Sequence, residues 1–352
     1  MFINIYLNFQ IWIYTSFDVQ KCILQQIAAN ALRNPPYFRK VISVQRLIDI
    51  LRQYYWFKPE DDSLAKDPLY HPATEEVVAQ RPSQQEIIQL RESLLQIVRV
   101  IAPNGLTLAE TTNIMNYLLL SPDEEHEGID IVQMLLSYIN LPHRDVNLNV
   151  CLHLNNLGGL APFIHLLKRK STTFRVWCLK AIGKMLERTE LGEKSKQLQT
   201  IRLSFIKPYL HPYPLSKHTY FSLMEILLEN VDIIKADDPV LNTAQTFKNP
   251  SILPVLFELL CMSGNSSLQE RVLKNFSDLL VGSPSNRNLF VSQRQWQSWL
   301  LGIVSTSKEN SSVFLLSIDI LTLLHHHCLT RQGGWKVLQQ SQTLLYYFGE
   351  NG

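Results

Sequence analysis

Residues 158–189, GGLAPFIHLLKRKSTTFRVWCLKAIGKMLERT, decide the fold. Leu160, Phe163, Ile164 and Leu167 fall at i, i+3, i+4 and i+7, one apolar stripe of a helix. Lys168–Thr173 interrupts that stripe with charge and hydroxyl groups. Cys178, Ala181, Ile182 and Met185 then restore the spacing. The pattern predicts two short helices joined by a polar turn. Two helices this short cannot bury both stripes against each other alone, so similar pairs must flank them. That is the logic of an α-solenoid.

The chain repeats this pattern outward in both directions. Upstream, Val19, Ile23 and Ile27 mark one helix, stopped at Asn34-Pro35-Pro36, and Val44, Leu47, Ile48 and Leu51 mark the next. Ser83-Gln84-Gln85-Glu86 is a capping box, in which the serine oxygen takes a first-turn N–H and the glutamate reaches back. Ile87, Leu90, Leu94, Ile97 and Ile101 follow on one face. Thr107–Glu110 and Ser267–Glu270 read as two more such boxes. Downstream, Tyr220, Leu223, Leu227 and Val231, then Leu253, Leu256, Phe257 and Leu260, make further stripes. Val313–Leu329 reads as a long helix and Trp335–Phe348 as the last one. The helices pair about every 40 residues, the period of armadillo and HEAT repeats. The expected class is therefore all-α, an irregular α-solenoid of paired helices spanning residues 18–348, with no strand hairpin. Loops are expected at 58–82, where prolines and Glu60-Asp61-Asp62 break any stripe, and at 237–248.

Residues 1–17 carry no charge and alternate with a period of two through Ile3, Ile5, Leu7, Phe9, Ile11 and Ile13. They read as a stray strand left from an upstream domain or as a first helix with a misleading pattern. Neither a basic leader nor a small-residue cleavage site accompanies them. Asn4, Asn8 and Gln10 argue against a membrane span, and no other stretch reads as long and apolar enough for one. The composition is 46% hydrophobic with a net charge of +2, which selects neither nucleic acid nor membrane. Five scattered cysteines without a CxxC pair argue against a disulfide framework.

Few constellations carry chemistry. His325-His326-His327-Cys328 invites a metal, but consecutive helical residues point about 100° apart and cannot converge on one ion. A C-terminal helix turn favouring His is the simpler reading. Asp61-Asp62 and Glu124-Glu125 sit in acidic runs with nothing to shift a pKa. Gly158-Gly159 lacks the rest of a phosphate cradle, and no nucleophile elbow or P-loop is present. No catalytic, cofactor-binding or metal-binding residue is expected, and the chain reads as no enzyme. The basic run from Lys168 through Arg169, Lys170, Arg175, Lys180, Lys184, Arg188, Lys194 and Lys196 to Arg202 reads as a positive ridge. Lys168, Arg169, Lys170 and Arg175 are the candidate partner-binding residues. The ridge would meet an acidic protein, an anionic membrane surface or, as an alternative reading, RNA. The plainer reading is a solvated helix face. Tyr54-Tyr55-Trp56-Phe57 is an exposed patch or, more simply, a helix turn packing on the next repeat.

Ordered motifs carry a resemblance. Residues 34–55, NPPYFRKVISVQRLIDILRQYY, resemble the helical region of the neurobeachin-type BEACH proteins, as do 174–186, FRVWCLKAIGKML, and 218–228, HTYFSLMEILL. Asn249-Pro250, Asn286-Arg287-Asn288, Trp296-Gln297-Ser298-Trp299-Leu300 and Gly333-Gly334-Trp335 follow in that family's order. The resemblance implies an armadillo-like region upstream of a PH–BEACH–WD-repeat module and downstream of a lectin-like domain. It implies a cytosolic, peripherally membrane-associated scaffold in vesicle trafficking, with partners in the trafficking machinery or the regulatory subunit of protein kinase A. It gives this region no catalytic residue. A chain cut at the end of the lectin-like domain would suit the alternating start, so the sequence reads as a fragment of a larger protein.

Overall fold

A computed structural model describes residues 5–57, 68–70, 77–80, 82–121, 128–140, 144–187, 203–228, 244–330 and 334–350. These form helix after helix. In chain order they are α1 (Phe9–Trp12), α2 (Phe17–Arg33), α3 (Pro35–Ile42), α4 (Val44–Tyr54), α5 (Gln84–Ile101), α6 (Leu108–Leu120), α7 (Ile129–Ile139), α8 (Arg144–Asn156), α9 (Ala161–Leu166) and α10 (Thr172–Leu186). Then come α11 (Lys207–Leu210), α12 (Lys217–Leu228), α13 (Leu253–Cys261), α14 (Ser266–Gly282), α15 (Pro284–Val291), α16 (Trp296–Thr306), α17 (Ser312–Leu329) and α18 (Gly334–Glu350). The all-α solenoid class expected from the periodicity holds.

Three local expectations are corrected, and one open alternative is decided. Inside the expected 58–82 loop, β1 (Pro68–Tyr70) and β2 (Val77–Gln80) pair antiparallel, with Leu69 opposite Ala79. Three- and four-residue strands are too short to announce a period of two. At the start of the chain, where a strand and a first helix were both open, the described residues include the short helix α1. Leu7, Phe9, Trp12 and Ile13 are buried, a helical spacing hidden under the alternation. The Ser267–Glu270 box is unused, because α14 begins two residues earlier than a Ser267 cap would start it, and Asn265 caps it by accepting from the Leu268 N–H at 3.1 Å. Finally, α17 is long and apolar enough, by length and composition, to cross a bilayer. Its Val313, Ser317, Ile320, Leu321, Leu324 and Cys328 are buried, and it packs against α14 and α16 as a core helix does. The expected 237–248 loop falls largely outside the described residues.

The other two capping boxes form as read. The Ser83 N–H donates to Glu86 at 2.7 Å and the Thr107 N–H to Glu110 at 2.7 Å, each glutamate N–H returning a bond to the hydroxyl.

The chain divides into two compact units, Met1–Pro162 with Arg169–Cys178, and Phe163–Lys168 with Leu179–Gly352. In the first unit, α5 is central, packing on α2, α3, α4 and α7. Its Arg91 is fully buried. The guanidinium donates to both Asp130 carboxylate oxygens (2.6 and 3.0 Å), to the Tyr55 carbonyl (2.8 Å) and to the Tyr117 hydroxyl (3.4 Å from each terminal nitrogen). One face lies 4.7 Å from the Phe57 ring centroid. A guanidinium has five N–H groups, and this cage engages all three of its nitrogens. Burial of a charge is tolerable on those terms. Tyr55 also donates to Gln20 at 2.6 Å, and Gln20 in turn donates to the Ile13 and Thr15 carbonyls. The Tyr54–Phe57 run is thus a packed turn, with Tyr55 and Phe57 buried.

The second unit is held differently. Phe257 on α13 stacks on Trp299 of α16 (5.5 Å between ring centroids) and meets Phe276 of α14 (4.9 Å) and Phe290 of α15 (5.2 Å) edge-on. Trp296 adds a further edge contact to Phe290 at 6.5 Å. Offset and edge-to-face geometries are the favourable ones for aromatic rings. The Trp299 indole N–H is buried without an acceptor among the described residues.

Candidate interaction surface

The hairpin of α9 and α10 starts from a glycine turn. Gly158 and Gly159 hold φ values of +108° and +64°, and the Gly159 N–H closes back onto the Leu154 carbonyl at 2.9 Å. Only glycine adopts two such residues in succession without strain, and the bond satisfies an end carbonyl of α8.

The turn after α9 and the first turn of α10 contain the expected partner-binding residues, and the structure separates them. Arg169 is 7% exposed and Arg175 3% exposed. Arg169 donates from Nη2 to the Leu118 carbonyl (2.6 Å) and the Ser121 carbonyl (3.2 Å), satisfying the C-terminal end of α6. Its guanidinium also lies 4.3 Å from the Phe174 ring centroid. Arg175 donates to the Arg169 carbonyl (2.7 Å), the Lys170 carbonyl (2.6 Å) and the Thr172 hydroxyl (2.9 Å). These two arginines hold the turn in shape from the inside, so the expectation that they face a partner is corrected. Guanidinium forks suit clusters of carbonyls, and helix ends supply them. Lys170 remains exposed.

The ridge beyond the turn loses members in the same way. In the second unit Lys180 is buried and pairs with buried Glu225 at 3.5 Å. Lys184 pairs with Glu187 at 2.8 Å. Arg188, Lys194, Lys196 and Arg202 lie outside the described residues, as do Asp61, Asp62, Glu124 and Glu125.

Exposed Lys168 is different. Its ammonium lies 5.4 Å from the centroid of the Tyr209 ring, and its carbonyl accepts from the Tyr213 hydroxyl at 2.8 Å. The His211-Pro212-Tyr213-Pro214 segment is thereby tied to the lysine. Neither tyrosine could be assigned to Lys168 from sequence, because the contact spans about 40 positions and follows no local period. Lys207, nearby in sequence, is paired with Glu258. An exposed ammonium beside one tyrosine ring is chemically a contact point for a carboxylate or phosphate.

The histidine run does not converge. His325 shares a 2.7 Å hydrogen bond with the Ser341 hydroxyl, and burial lowers its pKa. His327 Nε2 meets Asn288 Oδ1 at 2.7 Å, while its Nδ1 accepts from Arg287 Nε at 3.4 Å. Among the described residues no group of three His, Cys, Asp or Glu side chains could hold a metal ion. Burial also raises the Cys178 thiol and pushes Cys261 up to about 12, which keeps both as thiols. Each unit carries a cleft. One of about 290 Å³ in the first unit is lined by Phe57, Ile88, Leu95, Glu92, Arg99 and Asp130; one of about 570 Å³ in the second is lined by Ser and Thr hydroxyls with Cys261, Glu270 and Lys308.

Comparison with known proteins shows what the chain is similar to. A family model described as Neurobeachin/BDCP, DUF4704 alpha solenoid region matches residues 1–346. A putative neurobeachin homolog of Caenorhabditis elegans is 24% identical over 96% of this chain and 14% of its own length. BEACH domain-containing protein B of Arabidopsis thaliana is 20% identical over 99% of this chain and 15% of its own length. The chain therefore spans about one-seventh of the relatives it matches. No solved structure matches it.

Proposed function

The chain belongs to the Neurobeachin/BDCP alpha solenoid family, and from that premise we propose that it is a non-catalytic scaffold for membrane trafficking, acting in the cytoplasm at membrane surfaces. The observation that carries the scaffold reading is the family match across nearly the whole helical array. The array spends its buried charges on holding helices together, as at Arg91, Arg169 and Arg175, and leaves Lys168 exposed beside Tyr209 and Tyr213. Lys168 is the centre of the proposed contact with an acidic partner, and Lys170 contributes charge. Trafficking proteins, a kinase A regulatory subunit and anionic lipid are the partner classes.

The nucleic-acid reading weakens on the same geometry. It needs a continuous track of free cations. Arg169, Arg175 and Lys180 are buried within that track.

The test is proximity labelling with the natural-length protein as bait, beside a Lys168→Glu/Lys170→Glu variant. Enrichment of vesicle-coat, small-GTPase or kinase-anchoring proteins, reduced in the variant, is the expected result. A labelled set without trafficking proteins, or one the variant leaves unchanged, overturns the assignment.

A further inference from the structure

The cleft of the first unit lies beside the Arg91 cage and shares Asp130 with it. On one wall Ile88, Glu92, Leu95 and Arg99 of α5 fall at i, i+4, i+7 and i+11, one face of that helix. Ile129, Asp130 and Gln133 of α7 form the other wall, and Phe57 also lines the cleft. Phe57 and Leu95 are buried, whereas Ile88 is 45% exposed and makes an aliphatic lip. Glu92 and Arg99 are exposed beside Leu95. Clefts for drug-sized ligands begin at about 300 Å³. At about 290 Å³ this one has room for a single large side chain.

Asp130 stands on the cleft wall as a fixed acceptor. Its Oδ1 takes bonds from Arg91 Nη2 at 3.0 Å and from the Ile131 N–H at 2.9 Å, and its Oδ2 takes Arg91 Nε at 2.6 Å. A carboxylate offers about four lone-pair sites. These bonds leave one on Oδ2, and the side chain is still 24% exposed. The charges around it balance, Arg91 against Asp130 and Arg99 against Glu92. A cation entering the cleft would lose hydration for no net attraction. A neutral donor on a flat apolar body suits it better. Among side chains indole and phenol have that form, and both pair their N–H or O–H when buried.

We propose that the cleft is an anchor pocket for one tryptophan or tyrosine of a partner protein. The ring lies against Phe57, Ile88 and Leu95, and its N–H or O–H donates to Asp130 Oδ2. Deep pockets at interface centres take anchors of this kind. Glu92 and Arg99 lie about 10 Å apart along α5, the reach of about three extended residues. They flank the anchor and set the direction of the segment, with a basic residue at the Glu92 end and an acidic one at the Arg99 end. The pocket does not depend on Lys168 or on the trafficking reading, so either can fail without the other.

The test pans a library of random peptides against the full chain, with counter-selection on Ile88→Arg, a change on the exposed lip that blocks the cleft and whose helicity is checked by circular dichroism. The expected result is a motif built on tryptophan or tyrosine, with a basic residue on one side and an acidic residue on the other. A synthetic peptide of that motif should bind about tenfold more weakly once the anchor keeps its ring and loses its donor, as indole-N-methylated tryptophan or as phenylalanine in place of tyrosine. That comparison leaves the Arg91 cage untouched. A photo-reactive copy of the peptide should attach at Ile88, Leu95 or Gln133 of the unaltered chain, a readout that stands even where Ile88→Arg fails to fold. No motif, a motif without either aromatic residue, equal binding of the donor-free peptide, or attachment outside the cleft overturns the proposal.

Discussion

The two units bury the same kind of helix by different means. The first is organised around a charge: Arg91, caged by Asp130, the Tyr55 carbonyl, the Tyr117 hydroxyl and the Phe57 face. The second is organised around rings, with Phe257 in contact with Phe276, Phe290 and Trp299. A ring cluster tolerates imperfect geometry, because dispersion and area burial are not directional. A buried guanidinium does not. Every donor needs its acceptor in place, so the cage specifies one arrangement of α4, α5, α6 and α7 at a desolvation cost.

The largest expected effects break each centre in turn. Phe257→Ala should cost about 3–5 kcal/mol in the urea unfolding of the second unit, through lost area and a cavity. Arg91→Ala should cost a similar ~3–5 kcal/mol in the first, mainly by stranding Asp130. The two then separate on repair. Arg91→Met combined with Asp130→Leu should recover most of the loss, because a buried ion pair is replaceable by apolar groups of similar volume. A double variant as unstable as Arg91→Ala would show that the cage is needed for more than its charge balance.

A smaller effect distinguishes the units by pH. Glu110 is partly buried, which alone would raise its pKa. Hydrogen bonds from Arg39 and the Thr107 N–H, the Arg39 charge and the Thr107 hydroxyl outweigh this and hold it below the ordinary 4.5. A carboxylate whose folded pKa is depressed adds stability that is fully present above its unfolded value and is lost as pH falls through the folded one. The first unit should therefore lose stability on acidification below about pH 4.5. Arg39→Ala, costing about 1–2 kcal/mol at neutral pH, should flatten that acid limb in a series of urea midpoints.

Smaller still is Trp299→Phe. It removes some buried area but also an indole N–H without an acceptor among the described residues. The two terms oppose, so a change within about 1 kcal/mol is expected. A much larger loss would mean the N–H is satisfied by bound water. The smallest effect is Lys168→Glu/Lys170→Glu, expected to leave thermal unfolding within about 0.5 kcal/mol. The matching control is Arg169→Glu, which should destabilise strongly by uncapping α6.

Much of the helical pattern was legible because apolar spacing and caps act within a few residues. The Gly158-Gly159 turn, the Ser83 and Thr107 boxes and the α9–α10 hairpin all follow from such short-range rules. The candidate surface was half legible. Four neighbouring cations looked alike in a linear string, yet Arg169 and Arg175 turn inward and Lys168 and Lys170 do not. Arg169 is drawn in by the end of α6, some 50 positions away in the chain, whose carbonyls need donors, and Arg175 by the carbonyls of the turn itself. Arg91 escaped notice for the same reason: it sits on the stripe between Leu90 and Leu94, and only folding brings Asp130 and Tyr55 to it.

The sequence by itself determined most of the helices, the Ser83 and Thr107 caps and the family, since periodicity and motif order are properties of a string. Tertiary structure decided which charges are structural and which face outward. A charge is placed by the polar groups that surround it, and those arrive from distant helices only when the chain packs.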